Sequence, residues 1–399
     1  MTPESAIARL RAAEWLHRPE TQQVFALLDG SKRRTRAVGG IVRDTLLDRW
    51  RERPEIDFAT ELTPEEVSRR AGKKGVPVYP TGIEHGTVTL KIGDLVAEVT
   101  TLREDVETYG RHAKVRFGKD WRRDAERRDF TLNALYAEAD GTLFDPLGGI
   151  DDCLSGVVRF IGDAGKRIAE DRLRVFRFFR FSASHGQERF DPTGLAAAAR
   201  AHAELDELSA ERVGQEMRRI LALPKVAQTI SVMTGAQILD FSAPLVLWLE
   251  TYERHTYKAT LMARLALIVN ALGSEMLQAR WRLSNDDLKA AEHTLAAARL
   301  CSDFHINEAA YRYPATLADA VDVAAALAGW TEAGRAAVVQ RLQAIEVPKF
   351  PIGGNDLIQR GIRPGPALGA ELERLEKEWI ASDFRLGRMD LLAMVRAGP

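Results

Sequence analysis

Cysteine is nearly missing from this chain. Cys153 and Cys301 lie far apart, and neither belongs to a zinc-type cysteine or histidine set. That excludes a disulfide scaffold and a thiolate metal site, and it points to two packed thiols in a reducing cytoplasm. Long apolar runs are missing too. None approaches the roughly 18 residues of a membrane span. The opening MTPESAIARLRAAEWL reads as an amphipathic helix interrupted by charge, without the apolar core of a secretory signal. The eight histidines are scattered, so a histidine–aspartate metal hydrolase centre is not expected. Charge of one sign is not in excess either. Lys and Arg number 56 against 57 Asp and Glu, a net charge of −1, which taken globally speaks against a nucleic-acid partner.

What is present changes that picture. With 399 residues, 45% hydrophobic and 28% charged, the composition is that of a globular protein of about two to four compact units. Charge is distributed unevenly. Arg111, Lys114, Arg116, Lys119, Arg122, Arg123, Arg127 and Arg128 face only Asp120, Asp124 and Glu126 in the same stretch, and a second basic stretch holds Lys166, Arg167, Arg172, Arg174, Arg177 and Arg180. A positive groove on a neutral protein is the functional reading, with Arg111, Lys114, Arg177 and Arg180 as candidate RNA contacts. Either stretch alone reads equally well as a solvated face.

Strand-like segments cluster early, at 35–38, 56–59, 87–92, 96–101 and 132–137, with a capped helix at 63–72 that starts at Thr63. After Asp145-Pro146-Leu147-Gly148-Gly149 the strands stop. Helical periodicity fills the remainder at 192–223, 225–239, 258–272, 286–300, 317–328 and 332–346, with a last helix ending near 382. The fold class expected is α+β, with an N-terminal mixed sheet followed by an all-helical remainder.

Chemistry concentrates in four places. Gly39-Gly40 closes a strand and opens a helix carrying Arg43, an arrangement in which backbone amides approach a phosphate. In extended chain Glu55 and Asp57 share a face, and Glu98 on a neighbouring strand adds a third carboxylate. Acids so placed suit a hard dication such as Mg2+, with Glu55 and Asp57 as its ligands. Arg128, Asp129 and Asn133 offer a phosphate contact and hydrogen bonds for ribose hydroxyls. Asp171 and Arg174, three apart on an expected helix, set an acceptor beside a donor. Cytosine and adenine both present an amino donor next to a ring-nitrogen acceptor, whereas guanine and uracil reverse that polarity, so the pair can accept C and A and reject G and U. The bland reading of the same spacing is an intrahelical salt bridge. In the tail, Gly361, Gly365 and Gly369 mark a tight connection, and Trp379 reads chiefly as a core aromatic, secondarily as a stacking surface.

Together these segments resemble the class II tRNA nucleotidyltransferases. Val38-Gly39-Gly40-Ile41-Val42-Arg43-Asp44 with Glu55-Ile56-Asp57 is similar to that family's metal-binding motif. Arg127 to Ala134 resembles its ribose-recognition motif, Glu170 to Arg174 its amino-acid template, and Glu211-Arg212-Val213 through Leu221 its neck-helix motif. The resemblance implies a catalytic head at 1–150, a nucleotide-selecting neck at 151–225, a body at 226–310 and a tRNA-binding tail at 311–399. It further implies divalent ions, CTP and ATP as substrates, and CCA addition to tRNA with Glu55, Asp57 and Glu98 as catalytic acids. Oligomeric state stays open between monomer and homodimer. The stretch from Glu104 to Lys119 resembles the flexible loop of members that complete CCA. The family pattern has aspartate where Glu55 stands, so one extra methylene displaces that carboxylate. A poly(A) polymerase, a partial CC- or A-adding enzyme, and a catalytically weak tRNA-binding homologue remain alternatives.

Overall fold

A computed structural model of the chain describes residues 2–49, 55–83, 86–109 and 112–396, with backbone alone at Thr81 and at 104–116. Two compact units emerge. One comprises Met1–Glu216 with Ser231–Asp240, the other Met217–Ile230 with Phe241–Pro399.

The first unit is built on a seven-stranded mixed sheet. Its strands are β1 (Thr35–Val38), β2 (Ile56–Thr60), β3 (Val78–Gly82), β4 (Thr87–Ile92), β5 (Leu95–Thr101), β8 (Tyr136–Ala137) and β9 (Leu143–Phe144), in the order β3-β4-β5-β2-β1-β8-β9. Only β2 and β5 pair in parallel; the other neighbours are antiparallel. A separate hairpin is made by β6 (Arg103–Tyr109) and β7 (His112–Phe117). Alternation decides which face is buried. Ile56, Phe58, Val88, Leu90, Ala97 and Val99 point inward, while Asp57, Glu98 and Lys91 point out. The inward face is covered in part by the Pro64–Lys73 helix, which buries Val67 and Ala71. Proline in its first turn and the Thr63 hydroxyl, accepting from the Glu66 amide, start that helix. Phe25 packs edge-on to Phe58, with ring centroids 5.3 Å apart.

The sequence reading is right on α+β class and on most elements, and several segments differ. The expected strand at 132–137 is mostly a single 3-10 turn, Thr131–Asn133, and only Tyr136–Ala137 pairs in the sheet. The side chain of Asn133 is tied to Asp129, which favours the turn over an extended path. The long helix expected over 192–223 divides into Pro192–Arg200, a 3-10 segment His202–Glu207, and Ala210–Leu221, with Leu208 extended between them. The stretch expected as a loop from 104 onward is largely the β6–β7 hairpin.

The second unit is helical. Its core helix, Leu261–Leu272, buries every residue from Ala263 to Val269. Arg264 is fully buried there, donating to the carbonyls of Leu221, Leu223 and Pro224 and to Glu253, whose carboxylate in turn accepts the Val226 and Ala227 amides. One ion pair thus satisfies the end of one helix and the start of the next. Among the described residues, no helix is long and apolar enough to cross a membrane.

Near the C-terminal end Trp379 is 1% exposed and lies among Leu357, Leu375 and Leu391, with Tyr311, Phe350 and Phe384 against its ring. Its stacking role therefore falls away in favour of the core reading. Trp379→Ala should cost about 3–5 kcal/mol of stability by removing this ring from its pocket. Denaturant unfolding would measure it, and a loss under about 0.5 kcal/mol would contradict this packing.

Candidate active site

β1 ends at Val38 and is followed by Gly39, whose φ of 72° turns the chain sharply into the Gly40–Leu46 helix. A side chain is strained in that conformation, which explains why glycine stands there. The helix carries Arg43 into a cleft of about 520 Å3 lined by Gly39, Gly40, Asp57, Asn133, Asp171, Leu173 and Phe181 together with Arg43, Arg127, Arg128, Arg174, Arg177, Arg180 and Arg212. Arg43 is nearly buried. It donates to Asn133 Oδ1 at 2.6 Å and to Asp44 Oδ1 at 2.8 Å, and Asp44 is shared with His185 Nε2 at 3.1 Å.

Register places the acids. Asp57 on β2 lies opposite Glu98 on β5, so both carboxylates stand on the outward face in adjacent strands. Asp57 also belongs to a second cleft of about 290 Å3, with Thr87, Glu98, Thr100, Arg103, Arg127 and Arg128. Its edge reaches solvent, yet the protein packed closely around it, then Glu98 and more weakly Glu55, push its carboxyl up to about 6 against the pull of Arg128. Glu55 lies exposed just before β2. No three His, Cys, Asp or Glu side chains among the described residues close into a metal cluster. The acids therefore form an open pair with Glu55 beside it, rather than a finished cage.

Seven guanidinium groups on one cleft would repel each other without nearby countercharge. Asp124 and Asp129 supply it. Asp124, 1% exposed, accepts from Arg127 Nε at 2.8 Å, from Arg128 Nη2 at 3.3 Å and from the Tyr136 hydroxyl at 2.9 Å. Asp129 accepts from the Phe130 amide and Asn133 Nδ2 on one oxygen and from Arg177 Nε at 2.8 Å on the other. Burial raises both carboxyl pKa values, but the adjacent arginine charges and the hydrogen bonds outweigh it, and both lie below the usual carboxylate range. The face of Phe181 collects three cations, with Arg180, Arg43 and Arg177 at 4.3, 5.1 and 5.5 Å from its centroid. Arg180 also pairs with Glu216 at 2.6 Å.

The expected continuous helix through 170–174 is broken. One helix ends at Glu170, Asp171 is extended (φ −151°, ψ 104°), and the next begins at Arg174. Asp171 and Arg174 thus do not pair as one helix face. Asp171 receives Arg212 Nη2 at 2.9 and 3.2 Å and the Leu173 amide at 3.2 Å. Arg174 donates to Glu170 at 2.6 Å and to the Arg167 carbonyl at 2.8 Å. The break lets both side chains reach the cleft without neutralising each other. Arg167 in turn donates to the Arg127 and Arg128 carbonyls, binding this segment to the ribose-motif turn.

Of the residues singled out from sequence, Gly39, Gly40, Arg43, Asp57, Arg128, Asp129, Asn133, Asp171, Arg174, Arg177 and Arg180 line one cleft. Glu98 lines the adjoining one. Arg177 and Arg180, read as RNA contacts, thus stand with the nucleotide candidates. Arg111 lies outside the described residues, as does the side chain of Lys114. Sequence reasoning did not single out Arg127, Arg212, Phe181 or Asp124. Arg212 sat inside a motif already noticed; Asp124, an acid within a basic run, left no signal of its burial.

Residues 35–159 match the Poly A polymerase head domain. Human mitochondrial CCA tRNA nucleotidyltransferase 1 is 30% identical over 96% of this chain and 92% of its own length, and the CCA-adding enzyme of Lactobacillus helveticus is 31% identical over 86% and 88%. The chain belongs to the class II tRNA nucleotidyltransferases. The Bacillus stearothermophilus CCA-adding enzyme, solved in complex with CTP, superposes with a TM-score of 0.75 at 25% identity, covering 95% of this chain and 97% of that one. Membership implies a divalent metal, and the donors fit one. Hard carboxylate oxygens on adjacent strands, crowded enough to raise Asp57, suit a dication that keeps open positions for phosphate and water.

Asp124→Ala should destabilise the protein by about 3–5 kcal/mol, because Arg127 and Arg128 lose their buried counter-ion. A carboxyl held low in the folded state stabilises fully above about pH 4 and loses that contribution as pH falls through its folded value. The stability gap between wild type and Asp124→Asn should therefore be level at neutral pH and shrink in acid. A gap independent of pH from 7 to 2 would contradict the charge role.

Proposed function

We propose that this chain adds cytidine, cytidine and adenosine in turn to the 3′ end of tRNA, taking CTP and then ATP, without a nucleic-acid template. One observation carries the reading: Asp171 and Arg174 open onto the same arginine-lined cleft as Asp57. In that cleft Arg43, Arg177 and Arg180 hold the triphosphate, with the Gly39-Gly40 turn beneath it. Asn133 and the backbone ordered by Asp129 face the ribose. Both Asp129 oxygens are already engaged, so its contribution is to orient Asn133 and Arg177.

Asp171 accepts from the exocyclic amine of cytosine or adenine, and Arg174 donates to the adjacent ring nitrogen. Each keeps capacity for this, since an ionised carboxylate has about four acceptor sites and a guanidinium five donors. Guanine and uracil would set a carbonyl acceptor against Asp171 and a ring N–H donor against Arg174. Arg212 sets the angle of Asp171, and Glu170 sets that of Arg174. The RNA 3′-hydroxyl oxygen bonds to the α-phosphorus, pyrophosphate leaves, and the hydroxyl proton passes to water. Mg2+ held by Glu55 and Asp57, with Glu98 beside them, would lower the pKa of that hydroxyl and neutralise phosphate charge.

The division into head, neck, body and tail at 150, 225 and 310 accompanies this reading, with the helical tail on tRNA. Two buried free thiols support a reducing, cytoplasmic setting.

Incubating the protein with tRNA lacking its 3′ CCA, labelled CTP and ATP, and Mg2+ should yield complete CCA ends. Long A tails on generic RNA, a stop after CC, or binding without incorporation would each replace this reading with another. Asp57→Ala should lower incorporation by at least about a thousandfold with tRNA affinity nearly intact. Asp171→Ala should raise UMP and GMP incorporation relative to CMP; unchanged selectivity would contradict the base reading.

A further inference from the structure

The outward face of the head sheet continues beyond the acids. Following the register from Asp57, the row runs to Glu98 on β5, Thr89 on β4 and Tyr79 on β3. These four residues share one face, while their strand neighbours Ile56, Ala97 and Leu90 are buried on the other. Tyr79 is 49% exposed, and Val96, on the same face, is 44% exposed opposite Lys91. The Tyr79 ring lies on the same open face as the acids, where it offers a π-surface on which a base can stack. With strands about 4.8 Å apart, Tyr79 stands roughly 14 Å from Asp57, a distance of a few stacked nucleotides.

The two clefts meet at Asp57, Arg127 and Arg128. The larger holds the base-reading and triphosphate groups. The smaller opens onto this sheet face through Thr87, Glu98 and Thr100, where the threonine hydroxyls lie 3.0 Å apart. Two reactants must meet at Asp57, and each cleft has room for one.

We propose that the open face of β3, β4 and β5 is the track for the single-stranded 3′ end of the tRNA, with Tyr79 as a stacking platform for a base a few positions upstream of the reacting hydroxyl. This rests on the nucleotidyl-transfer reading of the cleft. The threonine row supplies partners for ribose hydroxyls, Lys91 lies within reach of backbone phosphate, and Tyr79 offers a π-face to any base. A platform indifferent to base identity suits an RNA end that begins with variable sequence and lengthens with each addition. The track runs continuously into the acid pair, which favours RNA over a protein partner on this face.

Steady-state kinetics with tRNA lacking CCA test it, varying tRNA and CTP separately. Tyr79→Ala, at an exposed position, should fold normally and raise KM for tRNA about tenfold or more, as the loss of one stacked base predicts, with KM for CTP unchanged. Tyr79→Phe should restore wild-type behaviour, because the ring rather than the hydroxyl carries the contact. Wild type failing to extend tRNA would remove the reading beneath the proposal. Wild type extending it while Tyr79→Ala matches it would leave that reading intact and overturn the track. A change in sedimentation of Tyr79→Ala with unchanged KM would instead make this face an interface between copies.

Discussion

Buried carboxylates holding crowded arginines in place are the constraint on which this site depends. Seven guanidinium groups cannot share a cleft of about 520 Å3 unless their charge is offset from behind. Asp124 anchors Arg127 and Arg128, Asp129 anchors Arg177, and Glu216 anchors Arg180. Asp124 and Glu216 stand behind the lining and Asp129 within it, and each engages its arginine from the protein side. The positive cleft is therefore preformed, and a triphosphate bound there would be spared the cost of ordering it. A chain with net charge −1 is thereby strongly positive in one place, and the global balance conceals it.

The second constraint is sheet register. A slip of one residue between β2 and β5 would turn Asp57 or Glu98 into the core. Alternation of buried and exposed residues on both strands prevents that slip. The outward acids and the hydrophobic core are thus specified by the same pattern. Gly39 adds the sharp turn that sets Arg43 across from Asp57.

Much of this was legible in residue order. Gly39-Gly40, Arg43, Asp57, Arg128, Asn133, Asp171 and Arg174 converge because each lies at a strand end, a helix start or a break, where local signals are strong. What stayed hidden depends on tertiary partners. The break at 171–173 is stabilised by Arg212, distant in sequence, so helical spacing alone gave the wrong local geometry for two residues that do reach one cleft. Arg177 and Arg180, read as RNA contacts, line the same cleft as the nucleotide candidates, because a basic run does not disclose which anion it faces. Thr131–Asn133 left the strand because Asn133 bonds to Asp129, a competition propensity does not register.

With both oxygens engaged inside the protein, Asp129 is proposed to organise the cleft instead of touching the ribose. Calorimetric titration of CTP into Asp129→Asn and wild-type protein tests this most directly, with folding checked by circular dichroism. With Arg177 released and Asn133 no longer held, CTP affinity should fall by about tenfold or more, the loss of at least one charge-assisted hydrogen bond. A dissociation constant equal to that of wild type, in a variant that is fully folded, would contradict the account.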